Sequence, residues 1–346
     1  MSEFTDLILA WYDKYGRKLP WRGISDPYAI WVSEIMLQQT RVETVITYFD
    51  RWMKQFPTVQ VLAEASQQTV LSAWEGLGYY SRGRNLHETA KRIVSEFGGQ
   101  LPQEVQQLRT LPGIGRYTAA AIASIAFNQN VATLDGNLRR VFARVFDLSI
   151  PADSPQGEEI LWGLAQRELP PGRAGDYNQA LMDLGSGICL PKKPLCLLCP
   201  LAGMCKSVAN PEIRPILSPK LAIPHRLKMA AIILQDGMSL LALRPSKGLL
   251  GGLWEFPAVE VDTETLQTFM VAMATKYSLK IKPVTFLANI RHAYTHFTLS
   301  ENAWICELLE KAENDSFKWV TLSEMKDYPM GKVDRTIARK ILSEEN

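Results

Sequence analysis

Hydrophobic residues in the first half of the chain recur at the spacing of an α-helix. Between residue 4 and about residue 188, apolar side chains return every three or four positions, as at Leu7 and Trp11 and again at Val105, Leu108 and Leu111. Short segments that contain glycine or proline separate these runs. The pattern predicts that this part of the chain is entirely helical.

The pattern changes after Cys205. The next segment includes NPEIRPILSPKLAIP, which is rich in proline and predicts a semi-extended connector because proline cannot donate a helical hydrogen bond. Beyond it, runs such as KMAAIILQ and SLLALRP are typical of strands, whereas TETLQTFMVAMATKY is typical of a helix. We therefore predict a helical domain over residues 1–206, a connector over 207–226 and an α+β domain over 227–346.

Composition and charge narrow the function only slightly. The formal net charge of +2 at pH 7 means that affinity for nucleic acid would depend on cations arranged locally rather than on bulk charge. The N-terminal sequence lacks the basic start and apolar run of a signal peptide, and no stretch approaches the roughly 20 apolar residues of a membrane span. We expect a protein of the reducing cytoplasm.

Four of the five cysteines lie within 17 residues, at Cys189, Cys196, Cys199 and Cys205. In a reducing compartment this clustering indicates metal ligation rather than disulfides. Four thiolates at these spacings suit a 4Fe-4S cluster. A structural zinc ion is the alternative, although zinc sites often pair two CxxC motifs and only one occurs here. Cys306 lies in an apolar run and is expected to be a buried small hydrophobic residue.

Two segments are candidates for binding a phosphate backbone. Lys192 and Lys193 lie in a loop that the cysteines would anchor at both ends, although exposed lysines are ordinarily only a solvated surface. The segment LPGIGRYT at residues 111–118 has the pattern of a helix-hairpin-helix motif, in which Gly113 and Gly115 permit a tight turn before a helix. Backbone N–H groups at such a helix start bind phosphate without reading the base sequence.

Two carboxyl groups are candidates for acid and base chemistry. Glu34 lies in WVSEIMLQQT, an apolar helix in which burial would raise its pKa and keep it a proton donor near neutral pH, unless it lies on a polar edge. Asp135 precedes a predicted helix, where an aspartate is most often an N-cap and is also favoured as an anion by the helix dipole. Two carboxyl groups are what cleavage of a glycosidic bond needs. Sequence spacing cannot show that Glu34 and Asp135 meet.

Several segments together closely resemble the MutY-type adenine DNA glycosylases of the helix-hairpin-helix superfamily. They are LPWR at residues 19–22, SEIMLQQTRVETV, WEGLGYYSRGRNL, LPGIGRYTAAAI, LDGNLRR, NQALMDLG and the four-cysteine segment. In the last third of the chain, RPSKGLLGGLWEFP and RHAYTHF resemble that family's Nudix-like domain for recognising 8-oxoguanine. The resemblance implies a multidomain fold, with an all-α glycosylase domain that carries a 4Fe-4S cluster loop and then an α+β Nudix-like domain.

The resemblance also implies an activity and the residues that perform it. Glu34 would protonate adenine at N7, Asp135 would stabilise or trap the sugar cation, and Tyr117 would support catalysis. The pocket for the extruded adenine would be lined by Arg17, Leu19, Trp21, Arg22, Leu37 and Gln179. Contacts with DNA would come from Gln39, Thr40, Tyr79, Gly113, Gly115, Thr118, Lys192 and Lys193, of which Gln39 and Tyr79 would wedge into the duplex.

Recognition of 8-oxoguanine is implied for Tyr294, Thr295 and His296, where the family usually has Phe-Ser-His. Threonine keeps the hydroxyl group and tyrosine keeps the ring, so that hydrogen bonding and stacking are both preserved. Without the resemblance, His296 would be interpreted as an ordinary packed surface residue. The implied function is excision of adenine opposite 8-oxoguanine or guanine, which prevents G:C to T:A mutations. The expected protein is a cytoplasmic, nucleoid-associated monomer of bacterial type with one 4Fe-4S cluster per chain.

Three alternatives remain at the level of sequence. The endonuclease III-type glycosylases share the hairpin and the cysteine spacing, but their hairpin lysine corresponds here to Tyr117, and a phenol cannot form an imine. A Nudix pyrophosphatase would need several glutamates on a helix to bind magnesium, and the corresponding stretch contains only Glu264. A non-catalytic DNA-binding or redox-sensing protein would keep the cysteines and the hairpin without needing Glu34. We predict a monofunctional glycosylase.

Overall fold

The structure is a computed structural model that describes residues 2–219, 222–310 and 315–344. The chain forms two compact units. The first comprises Met1–Glu64 and Asn85–Lys220, and the second comprises Ala65–Arg84 and Leu221–Asn346. Residues 65–84 therefore group with the C-terminal part of the chain. The domain limits expected from the sequence remain a prediction.

In the described part of the chain before residue 220, all regular secondary structure is helical, as the hydrophobic spacing predicts. The helices are α1 (Glu3–Tyr15), α2 (Pro27–Leu37), α3 (Val42–Gln55), α4 (Val59–Glu64), α5 (Gln67–Trp74), α6 (Ser81–Phe97), α7 (Val105–Leu108), α8 (Arg116–Phe127), α9 (Gly136–Val145), α10 (Pro155–Arg167) and α11 (Ala174–Gly187), with 3-10 turns at Cys196–Leu198 and Pro211–Ile213. Helix α5 belongs to the second unit, and α6 runs from one unit into the other.

Local capping explains where several of these helices begin. The Asp26 side chain accepts a hydrogen bond from the Tyr28 N–H, and Pro27 occupies the first helical position of α2. The Asp135 side chain caps α9 in the same way by accepting from the Leu138 N–H. Helix α8 begins after Gly115, and no side chain caps the backbone N–H groups of its first turn.

Helix α2 is mostly apolar, is buried on all its faces and lies inside the first unit. All residues from Tyr28 to Met36 are buried, because α2 packs against both α3 and α8. A second core lies between α1, α9 and α11, where the Phe4 and Phe142 rings stack with centroids 5.7 Å apart. The packing of α2 against α8 and of α9 against α11 brings residues of these four helices to one cavity.

The second unit contains a mixed β-sheet. Its strands are β1 (His225–Gln235), β2 (Met238–Leu243), β3 (Trp254–Glu255), β4 (Ala258–Glu260), β5 (Ile281–Ala293), β6 (Thr298–Leu308) and β7 (Phe317–Thr321). Five strands follow the order β3-β2-β1-β6-β5, while β4 pairs with β1 and β7 pairs with β2. Strands β1 and β6 are parallel, and the other pairs are antiparallel.

The sheet has a hydrophobic layer on each face because successive side chains of a strand point in opposite directions. On one face, Ala230 and Ile232 of β1 pack with residues of helix α13 (Lys332–Glu344). On the other face, Met229 and Ala231 pack with residues of helix α12 (Leu266–Tyr277). A short 3-10 helix spans Glu324–Asp327. The expected α+β fold of this part is confirmed.

The connector expected over 207–226 follows the surface of the first unit for part of its length. The Ile216 carbonyl accepts a hydrogen bond from the Ala152 N–H, and Ser218 donates to Asp153 through both its backbone and its hydroxyl group. Residues 220 and 221 of the connector lie outside the described residues.

Within the described ranges, no helix is long and apolar enough to cross a membrane.

Candidate active site and cluster loop

A cavity of about 650 Å³ opens in the first unit. The end of α2, the segment before it, the start of α8 and the facing side of α11 form its walls. Every residue that the resemblance assigns to the adenine pocket lines this cavity: Arg17, Leu19, Trp21, Arg22, Leu37 and Gln179. Glu34, Tyr117 and Asp135 line it too, as do Gln39 and Thr40.

Glu34 is a buried acid on the cavity wall. Glu34 lies within α2, away from the helix ends, and the residue is only 4% exposed. Burial raises the pKa of Glu34 to about 7, and the negative charge of Asp135 acts in the same direction. The Tyr117 hydroxyl donates a hydrogen bond to Glu34 Oε2 at 2.9 Å and opposes part of that rise. Glu34 is therefore near half protonation at neutral pH.

Asp135 is both an N-cap and a cavity residue. Its Oδ1 accepts a hydrogen bond from the Leu138 N–H at 2.7 Å, and its Oδ2 accepts from Asn137 Nδ2 at 3.1 Å. Burial raises the pKa of Asp135, whereas these donors lower it. Because N–H groups stabilise the ionised form, they favour a carboxylate facing the cavity.

Tyr117 connects the hairpin to the acid. It lies in the first turn of α8, and its hydroxyl group also lies 3.8 Å from Met182 Sδ. Burial and the neighbouring carboxyl groups raise the pKa of Tyr117 well above its usual range. The phenol therefore stays neutral and can donate a proton only through a hydrogen bond.

Sequence reasoning missed Asp183, which organises the arginines of the cavity. Asp183 is 3% exposed and accepts hydrogen bonds from Arg17 Nε at 2.7 Å and from Arg22 Nη1 at 2.5 Å. The carboxylate is bidentate towards Arg22, since Nη2 also donates to Oδ1 at 2.8 Å. The only signal in the sequence was the segment NQALMDLG, in which Asp183 is one polar residue of a mostly buried helix.

The hairpin has the backbone that its glycines predict. Gly113 has φ of +77°, and a Cβ there would approach the Asn85 Cβ to 2.8 Å. Gly113 and Gly115 are exposed. Thr118, in contrast, is only 2% exposed, and its hydroxyl group accepts from Gln38 Nε2 at 3.0 Å. The Thr118 side chain is therefore buried beside Gln38, and its contact with DNA stays a prediction.

All four clustered cysteines line one small pocket together with apolar residues of α9 and α11. Among the described residues, no three His, Cys, Asp or Glu side chains are arranged to hold a single metal ion. Four thiol side chains in one pocket are a ligand set that either a 4Fe-4S cluster or a zinc ion can use.

Arg144 and Arg140 fix the start of the four-cysteine segment at residues 189–205, called the cluster loop below, to α9. The buried Arg144 donates to Leu190 O at 2.6 Å and to Pro191 O at 3.0 Å, and its Nη1 lies 3.3 Å from Cys189 Sγ. Arg140 donates to Cys189 O at 2.7 Å and to Asn137 Oδ1 at 3.0 Å. The sequence predicted neither role.

The two candidate lysines lie at the exposed tip of the cluster loop. The backbone N–H of Lys193 donates to Glu212 Oε1 at 2.7 Å, and Lys193 has φ of +49°. The tip is therefore held by a hydrogen bond, while both side chains lie at the surface.

The residues expected to read the opposite base lie in the second unit. Tyr79 is 44% exposed, and its hydroxyl oxygen is 2.5 Å from Thr295 Oγ1. Thr295 and His296 are exposed in the turn between β5 and β6. The Tyr294 ring is partly buried and stacks on Phe297 with centroids 4.7 Å apart, so one face of this ring is already covered.

Comparison with known proteins gives matches over both units. The model of the HhH-GPD superfamily base excision DNA repair proteins matches residues 32–166, and that of the NUDIX domain matches residues 229–340. The adenine DNA glycosylase of Buchnera aphidicola subsp. Baizongia pistaciae is 37% identical, covering 87% of this chain and 86% of the relative. The adenine DNA glycosylase of Rattus norvegicus is 34% identical, covering 98% of this chain and 78% of the relative.

The chain belongs to the adenine DNA glycosylase family. The family resemblance found in the sequence is thus confirmed. The human relative is 37% identical over 87% of this chain, but the chain spans only 66% of its length and 61% of the mouse relative.

Two solved structures each resemble about 60% of the chain of this adenine DNA glycosylase family member. A thermostable thymine-DNA glycosylase is 30% identical, with a TM-score of 0.55, and covers 60% of this chain and 95% of its own. An endonuclease III–DNA complex is 19% identical, with a TM-score of 0.52, and covers 61% of this chain and 96% of its own. The latter likeness shows the fold alone.

Proposed function

We propose that this protein hydrolyses the N-glycosidic bond of adenine opposite 8-oxoguanine or guanine in duplex DNA, without strand cleavage by lyase chemistry. One observation carries the proposal. Glu34, with its pKa near 7, and Asp135, held by helix N–H groups, line one cavity from positions far apart in the sequence. An acid that can donate and a carboxylate that can face positive charge are the two groups that this bond cleavage requires.

The cavity suits a base that has left the helical stack. A base inside the duplex presents neither its glycosidic bond nor N7 to an enclosed acid, so it must rotate out before chemistry. The flat side chain of Trp21 and the apolar side chain of Leu37 would contact the extruded adenine, and the Gln179 amide would meet its polar edge. The Asp183 carboxylate forms ion pairs with Arg17 and Arg22 and so fixes both guanidinium groups at this wall of the cavity.

The chemistry begins with proton donation. Glu34 in its neutral form would give a proton to adenine N7, which makes the base a better leaving group. Tyr117 holds the Glu34 carboxyl in one orientation through the hydrogen bond at Oε2. As the bond to adenine breaks, positive charge develops on the sugar, and Asp135 would stabilise or trap that charge. Glu34, now ionised, would accept a proton from the attacking water.

Absence of lyase activity follows from the residues available. A lyase of this kind needs an amine that forms an imine with the sugar. No lysine is among the described residues that line the cavity, and the hairpin contributes the phenol of Tyr117. Hydrolysis is therefore the chemistry that this set of side chains supports.

Binding of the duplex would involve both units. In the first unit we assign phosphate contacts to the exposed N–H groups after Gly113 and Gly115, and to Lys192 and Lys193. The wedge residues would be Gln39 and Tyr79, with φ of +57° and +47°. In the second unit we assign contact with 8-oxoguanine to the 294–296 turn.

We propose that Cys189, Cys196, Cys199 and Cys205, which line one pocket, would hold one 4Fe-4S cluster. When bound, the cluster would cross-link the loop and could exchange an electron. The loop residues themselves would present the two lysines towards DNA. We further propose that the protein acts as a monomer in the cytoplasm, in association with the nucleoid.

The test is single-turnover release of adenine from a duplex that contains one A:8-oxoG pair. Wild type should leave an alkali-labile abasic site in an uncut strand. Glu34→Gln and Asp135→Asn should each slow release by about 10² to 10⁴-fold, the usual contribution of a positioned acid or base. Glu43→Gln is the matched control, because Glu43 is an exposed carboxyl group that lines the same cavity, and it should retain the rate within a few-fold.

Two results would contradict the proposal. Release of thymine from a T:G duplex without release of adenine would move the substrate towards that of the thymine-DNA glycosylase neighbour. Trapping of a covalent enzyme–DNA adduct by borohydride in good yield would show an imine and hence a lyase.

A further inference from the structure

The loop at residues 75–80 in the second unit is fixed at both ends. At its start, Glu75 forms a bidentate ion pair with Arg335 of α13, with Nε to Oε1 at 2.7 Å and Nη2 to Oε2 at 2.9 Å. At its end, the Tyr80 hydroxyl donates to Met330 O at 3.1 Å. Between these anchors lies Tyr79, whose backbone has φ of +47°. This left-handed conformation is strained for a tyrosine, so surrounding contacts must hold it.

Arg82 supplies contacts from beneath the loop. Its guanidinium carbon lies 5.3 Å from the centroid of the Trp74 ring and 5.6 Å from that of Tyr79. Its Nη2 donates to the carbonyls of Leu77 at 3.1 Å and Gly78 at 3.2 Å. The residue is only 8% exposed. A planar guanidinium can stack on a ring and bind two carbonyls at once, which an ammonium cannot do.

Thr295 supplies the contact on the exposed side. Its hydroxyl oxygen lies 2.5 Å from the Tyr79 hydroxyl oxygen, a short distance for two neutral hydroxyl groups. Thr295 is in the turn that we assign to the 8-oxoguanine contact, whereas Tyr79 comes from a segment more than 200 residues earlier. The Tyr79 ring therefore has a guanidinium near its face and a hydroxyl group at its tip.

We propose that Arg82 and Thr295 are positioning residues that hold the Tyr79 ring in its wedge orientation before DNA binds. This inference rests on the proposed function. The wedge and the 294–296 turn then act as one element that reads the base opposite adenine. A ring that is already oriented loses little conformational freedom on binding, so its contacts contribute more fully to discrimination. Arg82 and Thr295 act through Tyr79 and need not touch the lesion themselves.

A double-mutant cycle on the two hydroxyl groups tests the role of Thr295. Tyr79→Phe and Thr295→Val remove one hydroxyl each and keep the shape of the side chain. The readout is the ratio of single-turnover adenine release from A:8-oxoG to that from A:G. Each single variant should lower this ratio by about 3- to 10-fold, the value of one net hydrogen bond, and the double variant should be no worse than either one.

The opposing outcome is distinct. If Thr295 acts on the lesion by itself, Thr295→Val will lower the ratio, Tyr79→Phe will leave it unchanged, and Thr295→Val will have the same effect when it is combined with Tyr79→Phe. That result would overturn the proposal for Thr295.

Arg82→Lys tests the second contact, because it keeps the charge and removes the planar fork. We expect the ratio to fall by about 3-fold or more, together with faster amide exchange at residues 76–79. The control is Val259→Ala, which shortens a buried core side chain of β4 in the same unit and touches none of the loop contacts described above. This control should lower Tm and leave the ratio unchanged. An equal loss of the ratio in Val259→Ala would show that general loosening of the unit lowers discrimination, and it would overturn the proposal.

Failure of this inference differs from failure of the proposed function. If wild type releases adenine and none of the variants alters the ratio, the positioning role alone is refuted. If wild type releases no adenine, the proposed function fails. In that case hydrogen exchange at residues 76–79 still decides whether Arg82→Lys and Thr295→Val free the ring: unchanged exchange would refute positioning, and faster exchange would support it.

Discussion

Glu34 is the residue whose environment most changes its chemistry. A glutamate in water is ionised at neutral pH, whereas the buried position in α2 raises the pKa of Glu34 to about 7. The same carboxyl is turned towards the cavity and bound by Tyr117. Burial thus makes a proton donor out of an ordinary acid.

This pKa predicts how activity depends on pH. Because the donor form of Glu34 is lost as pH rises through about 7, single-turnover adenine release by wild type should fall roughly tenfold per pH unit well above that value. In Glu34→Gln the residual rate should be low and should lack this decline. A pH profile of both proteins at saturating enzyme measures it. A wild-type profile that stays flat from pH 6 to pH 9 would exclude Glu34 as the acid.

The pH dependence of protein stability tests the raised pKa of Glu34 without DNA. A raised pKa in the folded state means that the stabilisation is complete below the unfolded value near 4.5 and is lost as pH rises through about 7. Glu34→Gln, which cannot ionise, should therefore gain stability relative to wild type between pH 5 and pH 8. The gain has an upper limit of about 3.5 kcal/mol, because the pKa rises from 4.5 to about 7 and each pKa unit corresponds to about 1.4 kcal/mol. Urea unfolding at the two pH values measures the difference.

At the scale of elements, helix α9 joins two functional regions. Its first turn receives the Asp135 cap, and its last two turns carry Arg140 and Arg144, which bind the start of the cluster loop. The Arg144 side chain also binds a third backbone carbonyl, because its Nε donates to Arg214 O at 3.0 Å. The helix therefore fixes the carboxylate and the cysteine loop relative to each other within the first unit.

Removal of this arginine should release the loop. Arg144→Met would leave the carbonyls of Leu190 and Pro191 without their donor. Both hydrogen bonds are only part-buried, so we expect a total cost of about 1–3 kcal/mol. We expect a lower Tm and less iron per purified chain. The comparison variant is Arg139→Met on the same helix, whose guanidinium forms an ion pair with the half-buried Glu158 at 3.6 Å. Equal iron content in the two variants would show that Arg144 does not hold the proposed cluster loop.

At the scale of the whole molecule, charged side chains from distant segments meet inside the second unit. Lys228 Nζ of β1 lies 3.5 Å from Glu255 and 3.4 Å from Glu301, which are on β3 and β6. Asp334 of α13 is 5% exposed and accepts a hydrogen bond from the Phe256 N–H. Burial and the two glutamates raise the pKa of Asp334 well above its usual range.

Two substitutions in this group should differ in their effect on the stability of the protein. Lys228→Met would leave two buried carboxylates short of a counter-charge and should destabilise the protein by about 3–5 kcal/mol. Asp334→Asn should be tolerated better, because the amide oxygen can keep the hydrogen bond from the Phe256 N–H. Urea unfolding and amide exchange in β1 and β6 measure both. A Lys228→Met protein as stable as wild type would show that the carboxylates are already compensated, for example by Arg244.

Much of the fold and part of the site could be predicted because their causes are short-range in sequence. Three- and four-residue spacing determined the helices, proline and alternation located the change to strands, and Asp135 before an apolar turn gave the cap. Four cysteines in one segment identified a ligand set, and two glycines identified the hairpin. Glu34 could be assigned a raised pKa because its own helix is apolar.

Only the tertiary structure decided which distant groups meet. It placed Glu34 and Asp135 in one cavity, paired Asp183 with Arg17 and Arg22, and grouped residues 65–84 with the C-terminal part of the chain. It also brought Thr295 to Tyr79 and Arg82 beneath the Tyr79 ring. Periodicity and capping depend on neighbours within a turn of helix, whereas desolvation, ion pairing and stacking depend on packing between segments that the sequence separates. For this reason the sequence determined the elements and the chemical groups, and the packing of the chain decided which of those groups can act together.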